Sequence, residues 1–488
     1  MNLRGDILRL AVPSILANIT IPLVGMVDIA VAGHLGASLP THGATFIGGI
    51  SIGSMLFDLL YWNFAFLRAG TGGLTAQAFG RGDHGAASAT LRRALGIALL
   101  SGIVLIALQW LVVQGAFLVV KCSPQVRELA TQYFYIRIWA APATLSLFAF
   151  KGWLIGMQDT VRPMVADLLV NLVNIFFSAG LALGLFGLPA IGFRGIAIGT
   201  VIAQWSGFLY AGAAVLRRYR DWVIPEGAGR TIGAGNGDDS GESIGARSGE
   251  GAATGTGAGA WRDFFTLNRD LVLRSLGMIA VYIGFTVLSA RFGDVVLAVS
   301  AILMKLLMFF SYFTDGFAYA GEALTGRFIG EGSREGIRAT VRGTFQWSGV
   351  IAVLFMLVYG LGGEPLLRLM TMDSAVIGFG KDYLPWLLLM PVTGCAAFTW
   401  DGIFIGATAS RDLRNSTLLC AVGFFAVWLT GIALVRGLLT DPETAQVNDP
   451  ERLNALALHV LMAAYFMHLA IRALYLTLRY RPAILSRH

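Results

Sequence analysis

The sequence predicts an all-α membrane protein with twelve transmembrane helices in two six-helix bundles, related by a pseudo-twofold axis along the membrane normal. Three observations carry that prediction. The first is composition: 56% of the 488 residues are hydrophobic and 13% are charged, against roughly 25% charged in soluble domains. One soluble core cannot hide that surplus, so lipid is the expected solvent. The second is length. Apolar windows able to span a bilayer fall at about 7–33, 44–68, 88–114, 130–157, 163–187 and 190–216 in the first half, and at about 272–293, 295–325, 344–364, 383–407, 416–436 and 455–478 in the second. The third is an internal repeat.

The run GGLTAQAFGRG (72–82) returns as EALTGRFIGEG (322–332), at a constant offset of 250 residues. The offset persists without a gap. ATLR (89–92) becomes ATVR (339–342), Tyr133 becomes Tyr383, Phe148 becomes Phe398, and GWLIG (152–156) becomes GIFIG (402–406). A long repeat in a very apolar chain is the signature of a secondary transporter built from two related bundles. An even number of spans per half inserts both halves the same way up, which directs the axis along the membrane normal. Where the halves agree, the residues are expected to serve architecture. Where they differ in charge, function is the better expectation.

Orientation follows from the basic residues. With the N-terminus inside, the outer segments hold only Lys121, Arg127, Arg194, Arg291, Arg368, Lys381, Arg436 and Arg452, and the inner segments take most of the arginines, Arg274 and Arg472 among them. The bias places both termini in the cytoplasm. Between the halves, 227–259 is rich in Gly, Ser, Thr and Ala and nearly free of large apolar residues. Such a stretch cannot bury enough surface to offset its ordering entropy, and reads as a cytoplasmic linker. The division is thus an N-terminal lobe at 1–220, a linker at 221–262 and a C-terminal lobe at 263–488.

Several polar residues fall inside the apolar windows, where each is costly unless it faces a cavity or a partner. In the first helix, Asn18, Pro22, Gly25 and Asp28 recur at spacings of 4, 3 and 3, which puts them on one face. Pro13 and Pro22 each remove a backbone hydrogen bond, so this helix is expected to bend. Asp28 is a candidate for coupling a proton or cation; the alternative is a carboxylate held permanently by neighbouring hydroxyls. The fifth window carries Asp167, Asn171, Asn174 and Ser178 as another stripe, suited either to a cavity wall or to hydrogen bonds between helices. The equivalent stretch of the second half has Thr417, Ala421, Phe424 and Trp428, so the stripe belongs to the first half alone.

Lys305, Asp315 and Glu322 lie in the eighth window, and Asp58 in the second. Asp401 in the tenth is equivalent to Lys151 in the fourth. Opposite charges at equivalent positions suggest either an ion pair across the bundles or separate roles. Arg68 and Arg137 are expected near helix ends, where long side chains snorkel.

Other functions are disfavoured. Cys122, Cys395 and Cys420 have neither a disulfide framework nor zinc spacing. The net charge of +7 is spread over many short loops rather than one stripe, so no nucleic-acid partner is expected. No nucleophile elbow, HExxH helix or Walker loop is present, so the chain reads as neither enzyme nor ATP-driven pump, and no cofactor is expected.

The segments LRLAVPSILANITIPLVGMVDIAVAGHLG, FLRAGTGGLTAQAFG, LNRDLVLRSL, TDGFAYAGEALTG and DGIFIGATASRDLRNS resemble the DinF-like branch of the MATE (multidrug and toxic compound extrusion) transporters. The likeness runs nearly end to end, apart from the linker. It implies a two-lobed, V-shaped antiporter of the bacterial inner membrane, exporting organic and often cationic compounds against inward H⁺ or Na⁺. It also implies that Asp28 is the family's first-helix carboxylate, Pro13 the proline at which that helix bends, and Asn174 the fifth-helix asparagine. One departure is plain: Ser178 stands where the family often has an aspartate. A hard cation wants several oxygen ligands, so H⁺ is the expected coupling ion and Na⁺ the alternative. A flippase for an amphipathic precursor is the alternative function. Anionic carriers would want a basic cavity, whereas Asp28, Asp58, Asp315, Glu322 and Asp401 outnumber Lys151 and Lys305 among the interior candidates. The expected partners are small organic substrates and the bilayer, with the chain acting as a monomer.

A tag near Gly235 should be reached only from the cytoplasmic side and a tag near Asn448 only from the opposite side. Deleting residues 230–255 should leave a folded, monodisperse protein, since a linker contributes no core packing. Labelling of Asn448 from inside alone would reverse the orientation.

Overall fold

A computed structural model describes residues 3–35, 42–119, 122–223, 258–370, 374–439 and 449–486. Most of the proposed linker (224–257) and position 448 lie outside them. The first half contains α1 (Leu3–Leu35), α2 (His42–Trp62), α3 (Ala65–Gly80), α4 (His84–Ala107), α5 (Gln109–Val119), α6 (Pro124–Arg137), α7 (Ala141–Gly156), α8 (Val161–Leu183), α9 (Phe193–Arg218) and the short α10 (Arg220–Val223). The second contains α11 (Ala258–Ala290), α12 (Asp294–Gly330), α13 (Arg334–Met370), α14 (Ser374–Gly380), α15 (Leu384–Gly406), α16 (Ser410–Leu439) and α17 (Pro450–Tyr480). Eleven helical stretches among the described residues are long and apolar enough to cross a membrane, with α2–α3, α6–α7 and α14–α15 each forming one span. The 33-residue α1 is the twelfth. Each half therefore supplies six spans, as the repeat requires, and both chain termini fall at one end of the bundle, called here the terminal end.

One boundary differs from expectation. α11 starts at Ala258 and α10 covers 220–223, so both edges of the stretch assigned to the linker (221–262) are helical. The run WRDFF at 261–265 restores large apolar residues after the Gly-rich stretch, and helix formation resumes with them.

Within each lobe, the repeated glycines bring helix backbones into contact. A Cβ on Gly152 of α7 would strike the carbonyl of Arg68 on α3, and one on Gly156 would strike that of Gly72. The equivalent glycines of α15 do the same: Gly402 meets the carbonyl of Ala318 on α12, and Gly406 that of Glu322. The shared GxxxG of GWLIG and GIFIG is thus an α3–α7 and α12–α15 packing device.

Between the lobes, α3 and α12 meet each other. Gly80 lies against the carbonyl of Arg327, Gly330 against that of Gln77, and Gly326 against the methyl of Ala76. Residues 77 and 327, 80 and 330, and 76 and 326 are repeat partners, so the pseudo-twofold axis passes through this crossing. Gln77 Nε2 donates to Gly406 O at 3.0 Å and to Thr408 Oγ1 at 3.2 Å. Gln158 Nε2 donates to Ala323 O at 2.6 Å. Gln158 and Thr408, again repeat partners, both hold left-handed backbone, with φ of 62° and 52°, which is rare for such residues. An apolar cluster seals the same region, joining Ile7, Leu10, Ala69 and Ile155 of the first lobe to Phe317, Leu324 and Phe404 of the second.

α1 lies between the lobes, packed on α2 and α8 of its own and on α12 of the other. It runs through Pro13 and Pro22 as a continuous helix. Pro13 has no N–H to give the carbonyl of Arg9 four residues back. Thr160 Oγ1, just before α8, donates to that carbonyl at 3.5 Å.

Gly156→Val or Gly406→Val should lower the thermal midpoint of the purified protein, by overpacking worth about 1–3 kcal/mol. Gly96→Ala, where an added Cβ meets nothing within 4 Å, should leave it unchanged or slightly raised.

Candidate functional site

The first lobe holds a buried acid without a full set of partners. Asp28 is 6% exposed, and its Oδ1 has no hydrogen-bond partner among the described residues. Its polar neighbours are Ser178 and Arg137. The α8 stripe is fixed from several sides. Asn171 Nδ2 donates to Thr20 Oγ1 of α1 at 2.6 Å, Asn174 Nδ2 to Thr200 Oγ1 of α9 at 3.0 Å, and Ser178 Oγ to Ile196 O at 3.2 Å. These bonds hold the stripe between helices, yet they leave Asn174 Oδ1 buried and unsatisfied. Tyr61 Oη and Ser146 Oγ of the same lobe are also buried without partners. Native structures rarely leave such groups unmet, so these unpaired atoms mark the polar interior of the first lobe as incompletely satisfied among the described residues.

The expected face of α1 is divided by its surroundings. Asn18 Nδ2 donates across the lobes to Tyr312 O at 3.3 Å, Asp28 turns into the first lobe, and Gly25 is exposed with open space where a Cβ would stand. A helix between two bundles presents different sides to each, which spacing alone does not distinguish.

Arg137 does not snorkel. It ends α6 where the span is interrupted by a turn at Ile138–Ala140, within the Pro124–Gly156 span. Its Nη1 donates to Tyr133 Oη at 3.0 Å and to Ser54 Oγ at 3.3 Å, and its guanidinium lies 4.7 Å from the Phe57 ring centre. Arg68 is also interior. It pairs with Glu322 of the other lobe at 3.1 Å and lies 4.5 Å from the Tyr319 ring centre. Glu322 is 0% exposed, its Oε1 has no partner, and a Cβ on Gly72, its own repeat partner, would strike that oxygen.

Lys151 and Asp401 do not pair with each other. Lys151 pairs with Asp167 of α8, so Asp167 is engaged rather than merely solvated. Asp401 pairs with Arg274 at 2.5 Å and accepts from Arg472 Nε at 3.0 Å. Arg274 and Arg472, assigned by sequence to inner segments, lie within the second lobe, and Arg472 is 1% exposed. The signal was present: both fall inside apolar windows (272–293 and 455–478). Asp315 accepts from Ser311 Oγ at 3.4 Å, with Arg68, Arg274 and Arg472 in electrostatic range. Asp58 of α2 and Lys305 of α12 are both exposed and within electrostatic range of each other across the lobes.

These placements correct the charge count. Setting aside the exposed Asp58 and Lys305, the candidate acids Asp28, Asp167, Asp315, Glu322 and Asp401 are matched by Arg68, Arg137, Lys151, Arg274 and Arg472. The interior is balanced rather than acidic. The lobes differ in how the charges are arranged: Asp401 is held between two guanidinium groups, whereas Asp28 has one hydroxyl, Ser178, and one arginine, Arg137, beside it.

A profile of the family described as MatE matches residues 13–179 and 271–433. The DNA damage-inducible protein F of Escherichia coli is 35% identical over 422 residues, covering 86% of this chain and 84% of that protein. A probable multidrug resistance protein NorM of Thermotoga maritima is 23% identical over 432 residues, covering 87% and 83%. The bent form of the Vibrio cholerae MATE transporter VcmN superposes with a TM-score of 0.78 at 16% identity, covering 99% of this chain and 97% of that one; this likeness is one of fold.

Asp401→Asn should leave two buried guanidinium groups without their anion, a loss of about 3–5 kcal/mol, read as a marked fall in the thermal midpoint. The triple variant Asp401→Leu, Arg274→Met, Arg472→Met should recover most of that fall, because an apolar replacement removes the unpaired charges together. A midpoint in Asp401→Asn equal to wild type would move Asp401 from scaffold to site.

Proposed function

The chain belongs to the MatE family of membrane transporters, and on that premise we propose that it is a proton-coupled antiporter exporting small organic, often amphiphilic compounds by alternating access. The observation that carries this reading is Asp28: a buried carboxylate with an unpartnered oxygen, on the helix between the two lobes. The multidrug resistance named for the NorM relatives supports export of drug-like compounds. The charge bias supports a bacterial inner-membrane setting with the terminal end in the cytoplasm. The chain is proposed to act as a monomer.

The surroundings of Asp28 favour H⁺ over Na⁺. The neighbours that the structure gives it are Ser178 and Arg137. A bare cation there meets few anionic oxygens and a guanidinium's repulsion, whereas a proton needs only the carboxylate. Binding a proton cancels the charge of Asp28 and weakens its attraction to Arg137. It also turns one carboxylate oxygen from acceptor into donor. That exchange changes which side chains hold α1. The site that binds the proton is then also the site that repositions the helix, and competition between proton and substrate enforces exchange.

The interior charge balance removes the reason to restrict substrates to cations. Neutral amphiphiles are included in the proposal, and export of an amphipathic precursor is an outcome the assay distinguishes.

In proteoliposomes, a pH gradient should drive substrate exchange, and a Na⁺ gradient at equal pH should drive little. Asp28→Asn, which mimics the protonated form, should remain monodisperse and lose at least about tenfold in gradient-driven rate, the equivalent of ~1.4 kcal/mol. Wild-type rates from that variant would transfer coupling to Asp315, Glu322 and Asp401; strong Na⁺-driven transport would replace the proton in this reading.

A further inference from the structure

At the terminal end, where the lobes meet, the structure has an open-mouthed cavity of about 510 Å³. Its walls come from both lobes: the start of α1, the end of α3, the α7–α8 turn and the end of α9 on one side, and Leu324 and Arg327 of α12 on the other. Four guanidinium groups line it, from Arg9, Arg162, Arg218 and Arg327, with the carboxylates of Asp6 and Asp159. Arginines are expected at this end from the charge bias alone. What sets these apart is that they line one cavity and differ in their partners.

Asp159 is neutralised. It pairs with Arg162 and accepts from Tyr219 Oη at 2.9 Å, and the Arg162 guanidinium lies 5.7 Å from the Tyr219 ring centre. Arg327 pairs with Glu331 at 2.7 Å along its own helix. Arg9 and Arg218 have no acceptor among the described residues, although both line the cavity and are exposed. Leu10, Phe79 and Leu324 supply apolar wall beside them. Two unengaged guanidinium groups over an apolar wall match a phosphate group attached to an apolar body, since arginine binds phosphate through paired N–H donors.

We propose that this cavity is a binding site for an amphiphile with a net-anionic phosphate headgroup, and that its occupant holds the lobes together at the terminal end. The phosphate would engage Arg9 of α1 and Arg218 of α9, with Arg327 of α12 in reach from the other lobe. Arg9 is also the residue whose carbonyl Pro13 leaves free and Thr160 engages, so an occupant would fix the end of α1 at its proline. A wall shared by two lobes exists only while they are closed there, and a ligand that binds one arrangement shifts the population toward it. The site rests on the cavity and its arginines, and stands or falls independently of the coupling ion and the exported compound.

The test is thermal unfolding of the purified full-length protein in detergent. The probes are inorganic phosphate, short-chain phosphatidylglycerol, short-chain phosphatidylcholine and sodium chloride of matched ionic strength. The variants are Arg9→Gln/Arg218→Gln and the charge-retaining Arg9→Lys/Arg218→Lys. Both arginines are exposed and unpaired, so each variant should match the wild-type midpoint without ligand. Phosphatidylglycerol should raise the wild-type midpoint by about 2 °C or more, the Gln pair should lose that shift, and the Lys pair should keep most of it. A shift with phosphatidylglycerol but not with phosphate assigns the headgroup of an acidic lipid; a shift with both assigns any phosphate source. The proposal is overturned if chloride or the zwitterionic phosphatidylcholine reproduces the shift, if the Gln pair retains it, or if no probe with a net-anionic phosphate moves the wild type.

Discussion

The crossing of α3 over α12 is the contact on which the rest of the molecule depends. In lipid there is no hydrophobic drive to press helices together, so association relies on close packing and hydrogen bonds. Here the backbones approach because Gly80, Gly326 and Gly330 present no side chain to the opposing strand of the crossing. The two copies of the repeated motif are alike because each is the other's partner across the axis. The likeness must break where two equivalent side chains would claim one space. At positions 72 and 322 only one large group fits, and the chain places glycine on one lobe and glutamate on the other. Arg68, one turn from Gly72, then reaches the carboxylate, so a symmetric scaffold acquires an asymmetric ion pair at its seam.

The same asymmetry extends through both interiors. In the second lobe, Asp401 is held between Arg274 and Arg472, so that its carboxylate is paired with two guanidinium groups. In the first, hydroxyls and amides of α1, α8 and α9 form the network, and several of their buried polar atoms remain unmatched. A network of neutral groups around one acid can exchange partners at low cost when a proton arrives, whereas separating compensated buried charges is expensive. In the proposed reading, the responsive element is therefore the first lobe and the rigid one the second.

α1 connects the two. Pro13 lies 15 residues before Asp28, about 22 Å along a helix. The interruption near the terminal end and the carboxylate farther along are therefore different parts of one lever. The free carbonyl of Arg9 already has a side-chain partner in Thr160, so the helix can change its bend there without first breaking a backbone bond.

The sequence by itself determined the helical membrane class, the six-plus-six division and the repeat, because hydropathy and period are local properties that lipid enforces directly. It also singled out Asp28, since a carboxylate inside an apolar window is conspicuous without a fold. Partners were not legible. Arg274 and Arg472 were in view as letters inside apolar windows, but their pairing with Asp401 joins residues 127 and 71 positions apart, which no helical spacing encodes. Arg137 reads as a helix-end residue until a mid-membrane turn ends α6 at that point. Lys151 and Asp401 looked complementary because they are equivalent, yet equivalent residues meet only on the axis, and each of these found its counter-charge within its own lobe. Only the tertiary structure decided which charges compensate one another and which stay available, because burial and pairing depend on how helices distant in sequence are set side by side.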